Sequence, residues 1–393
     1  MAFFFVVDFI NINEIFEFNN LKMKSFVKYL SLIYLVIFSC DTHAQSLQEL
    51  AREKGKLAVE LTDKGEYLKS IELLEQAQEL DPENYIYPYE IAYTYYVQKN
   101  YKKAIKVISK LITYRGINED VFVLWGNSYD NLNKQKKAME IYVQGLVKFP
   151  YSGKLYTEIG IAQLRSKKIQ AALESFEKGI ELNPTAPSNY YWASRVFAGS
   201  VNSGWSLIYG EIFMNLEAGS KRTTEMSEMM NEIVAKRIKI LNDSMVDVDL
   251  FDKEEALNEM MKNYSSDSSN RSLSFPLIYE IMVMDAFRKE TTINEKSFMR
   301  MRTKMVNMYF KNQYDKKYPN ALINYQKKII DAGFWEEYNT FIILQSNKEK
   351  FELWLEQNKT RWDEFVDWFN VNRLNLNLGN RFYRNQYLRL QDK

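Results

Sequence analysis

The chain has 393 residues, and its 52 Lys and Arg nearly balance its 51 Asp and Glu. That balance excludes an overall positive field, so no nucleic-acid partner is expected. Aromatic residues make up 15% of the chain, whereas 7 prolines and 14 glycines are fewer than a loop-rich or disordered protein contains. A large folded core is therefore expected.

The sequence from Met23 has the three parts of a secretory signal peptide. Two lysines precede an apolar run at Leu30–Phe38, and Thr42–Ala44 supplies an exit of small residues. The run is shorter than the about 20 residues that a membrane span needs. We therefore assign residues 23–44 to a signal peptide. Residues 1–22 are acidic and rich in Asn, so we interpret them as a mis-assigned start.

Two processing outcomes remain open, cleavage after Ala44 and lipidation at Cys40. Ile37–Cys40 resembles a lipoprotein signal, although the Phe at its second position is unusual, and cleavage is preferred. Either outcome places the protein outside the cytoplasm, in the periplasm or at the outer membrane. Cleavage would also remove the only histidine, His43, and the only cysteine. The mature chain could then hold no disulfide, no Cys/His zinc site and no histidine base.

Four stretches after the leader align on a period of 34 residues, beginning at Ala51, Tyr85, Glu119 and Gly153. Three positions of the period carry small or helix-ending residues. These are Ala58, Ala92, Gly126 and Gly160 at position 8, Ser70, Ala104, Ala138 and Ala172 at position 20, and Pro82, Gly116, Pro150 and Pro184 at position 32. Such a period predicts a helix–turn–helix solenoid in which positions 8 and 20 face each other where two helices cross.

The pattern resembles the tetratricopeptide repeat family over residues 51–198. The resemblance implies an all-α solenoid of four to five repeats, which we place at residues 45–217. A fifth repeat begins at Pro187 but departs from the pattern after Ala198. We expect Trp205–Leu216 to form a modified capping helix there.

The resemblance also implies a concave groove lined by positions 2, 5, 9 and 12 of each first helix. The candidate groove residues are Tyr89, Tyr93, Tyr96, Asn127, Asp130, Lys154, Tyr191 and Arg195. A tyrosine ladder suits an extended peptide or a partner helix, because Tyr combines a rigid ring with a hydroxyl. The alternative is that these tyrosines are packing residues. Some family members grip a C-terminal carboxylate with Lys and Asn, but Gly55, Val59 and Tyr93 occupy those positions here, so that clamp is absent.

Residues 218–393 lack the period and are predicted to form a mainly helical C-terminal module. Helical spacing is visible at Thr223–Leu241, Phe275–Phe287, Glu295–Phe310, Asn320–Ala332 and Glu349–Glu356, and Met245–Leu250 alternates like a strand. Aromatic residues followed by arginines near the C-terminus favour packing of a terminal helix over nucleic-acid binding.

The predicted function is that of an exported scaffold, not an enzyme, which binds a protein or peptide partner in the bacterial cell envelope. No phosphate loop, nucleophile elbow or metalloprotease motif is present in the sequence, and no cofactor or metal is expected. Two alternatives remain. One is a carboxylate-dependent hydrolase in the C-terminal half, to which the repeats recruit substrate. The other is a glycan-binding envelope protein that uses surface Tyr and Trp.

Overall fold

The computed structural model describes residues 45–242, 245–254, 258 and 273–386. The predicted signal peptide, Cys40 and residues 1–22 therefore lie outside the described residues. The chain divides into two compact units, the first ending at Ile117 and the second beginning at Asn118. Each unit is described separately.

The first unit consists of two helical hairpins. Its helices are α1 at residues 45–63, α2 at Tyr67–Leu80, α3 at Ile86–Val97 and α4 at Tyr101–Ile108, followed by a 3-10 turn at Leu111–Thr113. The small residues at positions 8 and 20 are fully buried, as predicted for the helix crossings: Ala58, Ser70, Ala92 and Ala104. Thr62 lies between the hydroxyls of Ser70 at 2.7 Å and Thr94 at 3.0 Å, which satisfies these buried polar groups.

The second unit begins with three further helical hairpins. Their helices are α5 at Asp120–Asn131, α6 at Gln135–Lys148, α7 at Gly153–Arg165, α8 at Ile169–Leu182, α9 at Pro187–Ala198 and α10 at Gly204–Leu216. Each crossing depends on a residue without bulk at position 8. A Cβ at Gly126 would overlap the ring of Tyr142, and one at Gly160 would overlap the ring of Phe176.

Helix α10 is the second helix of a complete fifth repeat, which differs from the predicted capping helix. The hydroxyls of Ser194 and Ser206, at positions 8 and 20 of that repeat, lie 3.1 Å apart at the crossing of α9 and α10. Every residue from Gly204 to Asn215 is buried. A capping helix keeps one face in water, whereas this helix is buried on every face and is enclosed by later parts of the chain.

Helix α11, Lys221–Arg237, starts with a capping box at Ser220 and takes the place of the first helix of a sixth repeat. The sequence predicts that this helix continues to Leu241, but the chain becomes extended at Ile238. Strand β1, Ile238–Asn242, pairs antiparallel with β2, Met245–Val248, so the predicted short strand is present. The β-branched residues of these strands favour pairing over a continued helix.

The remaining described elements are helical. They are α12 at Phe275–Phe287, α13 at Glu295–Lys311, α14 at Tyr314–Lys317, α15 at Ala321–Asp331, α16 at Trp335–Leu344 and α17 at Lys348–Val371. Helix α17 has non-helical dihedrals at Asn358. One hydrophobic core extends from Ala172 on α8 to Tyr383 near the C-terminus. The predicted domain boundary between residues 217 and 218 falls inside this core.

Candidate protein-binding surfaces

An exposed apolar stripe lies on the first helices of the first unit. On α3 it consists of Ile86, Glu90, Tyr93 and Val97, which occupy positions 2, 6, 9 and 13 of the second repeat. This spacing places all four on one helix face. The exposed fractions are 48% for Ile86, 39% for Tyr93 and 37% for Val97. Val59, at position 9 of the first repeat, is also exposed. We call these five residues the inner stripe.

The three predicted groove tyrosines of the first unit occupy different surroundings. Tyr93 belongs to the inner stripe and is exposed. Tyr89 and Tyr96, at positions 5 and 12, are half-buried beside it. The ring of Tyr96 packs edge-on against Tyr101, with their centroids 5.4 Å apart. Tyr93 is therefore the tyrosine of this set that is best placed to contact a partner.

The inner stripe contains one carboxylate, that of Glu90, and Asp63 lies near it. Burial raises the pKa of the Glu90 carboxyl above its usual value, and the nearby charge of Asp63 raises it further. Asp63 is itself exposed, at position 13 of the first repeat. Two acids whose charges repel each other beside an apolar surface favour an incoming cation, because a cation would lower the cost of both charges.

The predicted groove residues on α5 and α7 are already engaged with neighbouring side chains. Lys154 forms an ion pair with Asp120 at 2.6 Å, and Arg165 forms one with Asp130. Asn127 accepts a hydrogen bond from the Tyr142 hydroxyl. The two ion pairs join successive repeats of the second unit, whereas the Asn127 contact lies within the third repeat.

Among the acids on the described helices α5 and α7, Glu158 is the one that forms no ion pair. It occupies position 6 of the fourth repeat, as Glu90 does in the second. Burial raises the pKa of Glu158 above its usual value, and a hydrogen bond from Asn127 offsets part of that rise.

Tyr191 and Arg195 lie in a cluster between α9 and α11. Tyr191 is only 5% exposed, and its hydroxyl donates to Glu225 at 2.8 Å and accepts from Arg195 at 2.7 Å. The guanidinium of Arg222 lies over the Tyr191 ring, 4.9 Å from its centroid. The sequence prediction missed Arg222 and Glu225. They stand 34 residues after Ser188 and Tyr191, so the period itself could have indicated them.

The hydrolase alternative predicts paired carboxylates with shifted pKa values in a cleft of the C-terminal half. Within the described part of residues 218–393, the carboxyl whose pKa is raised is Glu280, and burial is the main cause. Glu280 accepts hydrogen bonds from the backbone amides of Leu250 at 2.8 Å and Phe251 at 2.9 Å. Its contacts therefore hold the chain after β2.

Among the described helices, none is long and apolar enough to cross a membrane.

The tetratricopeptide repeat family model matches residues 55–84 and 153–185. The first match covers most of the first repeat. The second covers α7 and α8, where Gly160 packs against the ring of Phe176. Both matched stretches are tetratricopeptide repeats. Its repeats are a protein-interaction scaffold, and the all-α solenoid predicted from the period is confirmed.

Several solved structures resemble the repeat region. PilF of Pseudomonas aeruginosa is 17% identical, with a TM-score of 0.40, and the match covers 48% of this chain and 86% of PilF. YrrB, described as a tetratricopeptide-repeat protein with an unusual peptide-binding site, is 18% identical with a TM-score of 0.32, covering 48% of this chain and 97% of YrrB. A tetratricopeptide-repeat protein of Thermus thermophilus is 14% identical with a TM-score of 0.39, covering 46% of this chain and 99% of that one. Comparison with curated protein sequences gave no significant match.

Proposed function

We propose that this tetratricopeptide-repeat protein is exported and binds an extended segment of a partner protein through the inner stripe of its first unit. The observation that carries the proposal is the exposure of Val59, Ile86, Tyr93 and Val97 on one face of the first helices. Apolar side chains that are clustered and exposed in this way mark interaction surfaces more often than isolated ones do.

The first unit is a better candidate than the face formed by α5 and α7. The charged groove residues there, Asp120, Asp130, Lys154 and Arg165, are joined in ion pairs. A partner would have to break or replace those contacts. The inner stripe offers apolar area that is already open to solvent, and covering about 100 Å² of such area contributes about 2.5 kcal/mol.

The partner segment that fits has apolar side chains and an adjoining Lys or Arg. The apolar side chains would cover Ile86, Tyr93 and Val97. The cation would approach Glu90 and Asp63, where burial and the charge of Asp63 disfavour the negative charge of Glu90. Such a segment would gain both apolar burial and charge complementarity.

Site-specific photocrosslinking in the native host tests this proposal. A benzophenone amino acid replaces Tyr93 in one variant and Leu68 in a second. Leu68 is a matched control because it is an apolar residue of the same unit, is 85% exposed and lies on α2, away from the inner stripe. The crosslinked peptide is then identified by mass spectrometry.

We expect the probe at residue 93 to crosslink one discrete segment that contains apolar residues and a Lys or Arg. We expect the probe at residue 68 to give no crosslink to that segment. Substituting Glu90→Gln in the same chain should weaken the crosslink at residue 93. Equal crosslinking from both positions would contradict the proposed surface.

The place of action is a separate part of the proposal. It rests on the leader at residues 23–44, from which either cleavage after Ala44 or lipidation at Cys40 delivers the protein to the periplasm or the outer membrane. Intact-mass measurement of the purified protein distinguishes the two outcomes. A chain that begins at Gln45 indicates cleavage, and a chain that begins at a diacylglyceryl Cys40 indicates lipidation. A chain that retains residues 23–44 would contradict export.

A further inference from the structure

An open pocket of about 750 Å³ lies in the second unit, between α15 and the non-helical segment that follows α17. The walls come from residues 319–328 on one side and residues 373–386 on the other. Pockets of about 300–1,000 Å³ are the usual size for small-molecule sites. This pocket is separate from every residue that carries the proposed function.

Three cations line the pocket, and no acidic residue of the described chain does. They are Lys328 on α15, and Arg373 and Arg381 on the C-terminal segment. Within the described residues none of the three forms a salt bridge, whereas Arg302, Arg361 and Arg384 of the same unit do. Arg373 donates to the side chain of Asn370 at 2.9 Å, and Lys328 lies over the ring of Trp368. Their positive charges are therefore uncompensated on the pocket side.

Two buried side chains in the pocket wall each carry one polar atom without a hydrogen-bond partner in the described part of the chain, although the Asn320 oxygen accepts from the amides of Leu322 and Ile323. Tyr325 is 5% exposed and Asn320 is 1% exposed. The hydroxyl of Tyr325 and the side-chain amide nitrogen of Asn320 have no partner in the described part of the chain. Leaving such a donor unsatisfied costs about 1–3 kcal/mol, so an acceptor that reached either atom would be favoured.

The three cations and the two buried donors all favour an anionic ligand. Burial raises the pKa of Tyr325, and the charge of Arg373 offsets part of that rise. The phenol therefore stays protonated at neutral pH and can donate. Arg fork geometry matches the paired oxygens of carboxylates and phosphates.

We propose that this pocket binds a small organic anion, a sugar-sized molecule that carries a phosphate or a carboxylate. The anionic group would lie between Arg373, Arg381 and Lys328, with Tyr325 and Asn320 donating to its oxygens. The exposed side chains of Asn324 and Asn375, which also line the pocket, supply amides for the hydroxyls of the sugar.

Isothermal titration calorimetry on the full chain tests the proposal, with glucose 6-phosphate, glucuronate and glucose as probes. We expect the phosphate or the carboxylate probe to bind and glucose not to bind. The affinity should fall as salt is added, because the contacts are between charges. Inorganic phosphate alone should bind more weakly than glucose 6-phosphate, because it leaves most of the pocket empty.

The double variant Arg373→Gln/Arg381→Gln should weaken binding at least tenfold. Tyr325→Phe, which removes only the buried hydroxyl, should weaken it by about tenfold. Arg288→Gln is the matched control, since Arg288 is an exposed arginine of the same unit that does not line the pocket. Melting curves identify any variant that fails to fold, and Tyr325→Phe then remains as the smaller change. No binding of either anion, or equal affinity in the double variant and the control, would overturn the proposal.

Discussion

Arg384 forms a bidentate ion pair with Glu177, which lies 207 residues earlier in the chain, and both nitrogen–oxygen distances are 3.1 Å. The hydroxyl of Tyr209 donates to the same carboxylate at 2.9 Å and accepts from the backbone amide of Arg384 at 2.8 Å. Beside it, the fully buried ring of Phe382 packs against Trp205. The C-terminal segment is therefore fixed to the fourth and fifth repeats.

Removing Arg384 should destabilise the protein strongly at neutral pH. Glu177 is 3% exposed, and burial raises the pKa of its carboxyl, while Arg384 and Tyr209 offset part of that rise. Arg384→Ala leaves this carboxylate buried without its cation, and such a change costs about 3–5 kcal/mol. Urea denaturation at pH 7 measures the loss.

The loss caused by Arg384→Ala should become smaller as the pH falls. Without Arg384, the pKa of Glu177 in the folded state lies further above its value in the unfolded state. The folded variant therefore binds a proton at a pH at which its unfolded state does not. The stability of the Arg384→Ala variant relative to the original protein therefore rises as the pH falls through the folded-state pKa of Glu177. The double variant Glu177→Gln/Arg384→Gln should be less destabilised at pH 7 than Arg384→Ala. A loss that is equal at pH 7 and pH 5 would contradict the explanation by charge.

The ion pair between Glu211 on α10 and Arg302 on α13 should be a second sensitive point. Both side chains are buried, and Glu211 also accepts from Gln326 and from the Tyr338 hydroxyl, each at 2.8 Å. Arg302→Met should cost about 3–5 kcal/mol, because it strands a buried carboxylate.

A second substitution separates charge from packing at this site. Glu211→Gln keeps an acceptor oxygen for Gln326 and Tyr338 but removes the charge. The double variant Arg302→Met/Glu211→Gln should therefore be more stable than Arg302→Met alone. A double-mutant cycle in urea measures the coupling, and additive losses would show that Glu211 and Arg302 do not interact.

Gly160→Ala should destabilise the crossing of α7 and α8 by about 1–3 kcal/mol, because the new Cβ would overlap the ring of Phe176. Adding Phe176→Leu should recover part of the loss. Gly199→Ala is the control, since no heavy atom lies within 4 Å of its Cβ position and its φ is −87°. That change should be neutral or slightly stabilising. Equal thermal shifts for the two alanine variants would count against tight packing at position 8.

Glu158→Gln should stabilise the protein at pH 7 by about 1 kcal/mol. The folded pKa of Glu158 is raised by burial, so its charge costs stability above that pKa and costs nothing once the group is protonated in both states. The gain should therefore disappear near pH 4 in urea denaturation. Glu140→Gln, which replaces an exposed acid on α6, is the control and should change the stability little. A gain that persists unchanged at pH 4 would refute the assignment to charge burial.

The sequence by itself determined the repeats and most of the helices. Small residues at positions 8 and 20 are local requirements of two crossing helices, so the period records them directly. Gly160 at position 8 shows this in the structure, since a Cβ there would overlap the ring of Phe176. The helix at Phe275–Phe287 was likewise visible from its spacing alone.

Only the tertiary structure decided what surrounds those helices. The apolar residues of Trp205–Leu216 predict a helix, but whether it caps the array or lies inside the core depends on segments far along the chain. Burial also separates Tyr93, which is open to solvent, from Tyr191, which Arg222 covers. Groove offsets describe one helix face, whereas ion pairs such as Glu177 with Arg384 depend on contacts between distant segments, which no local period records.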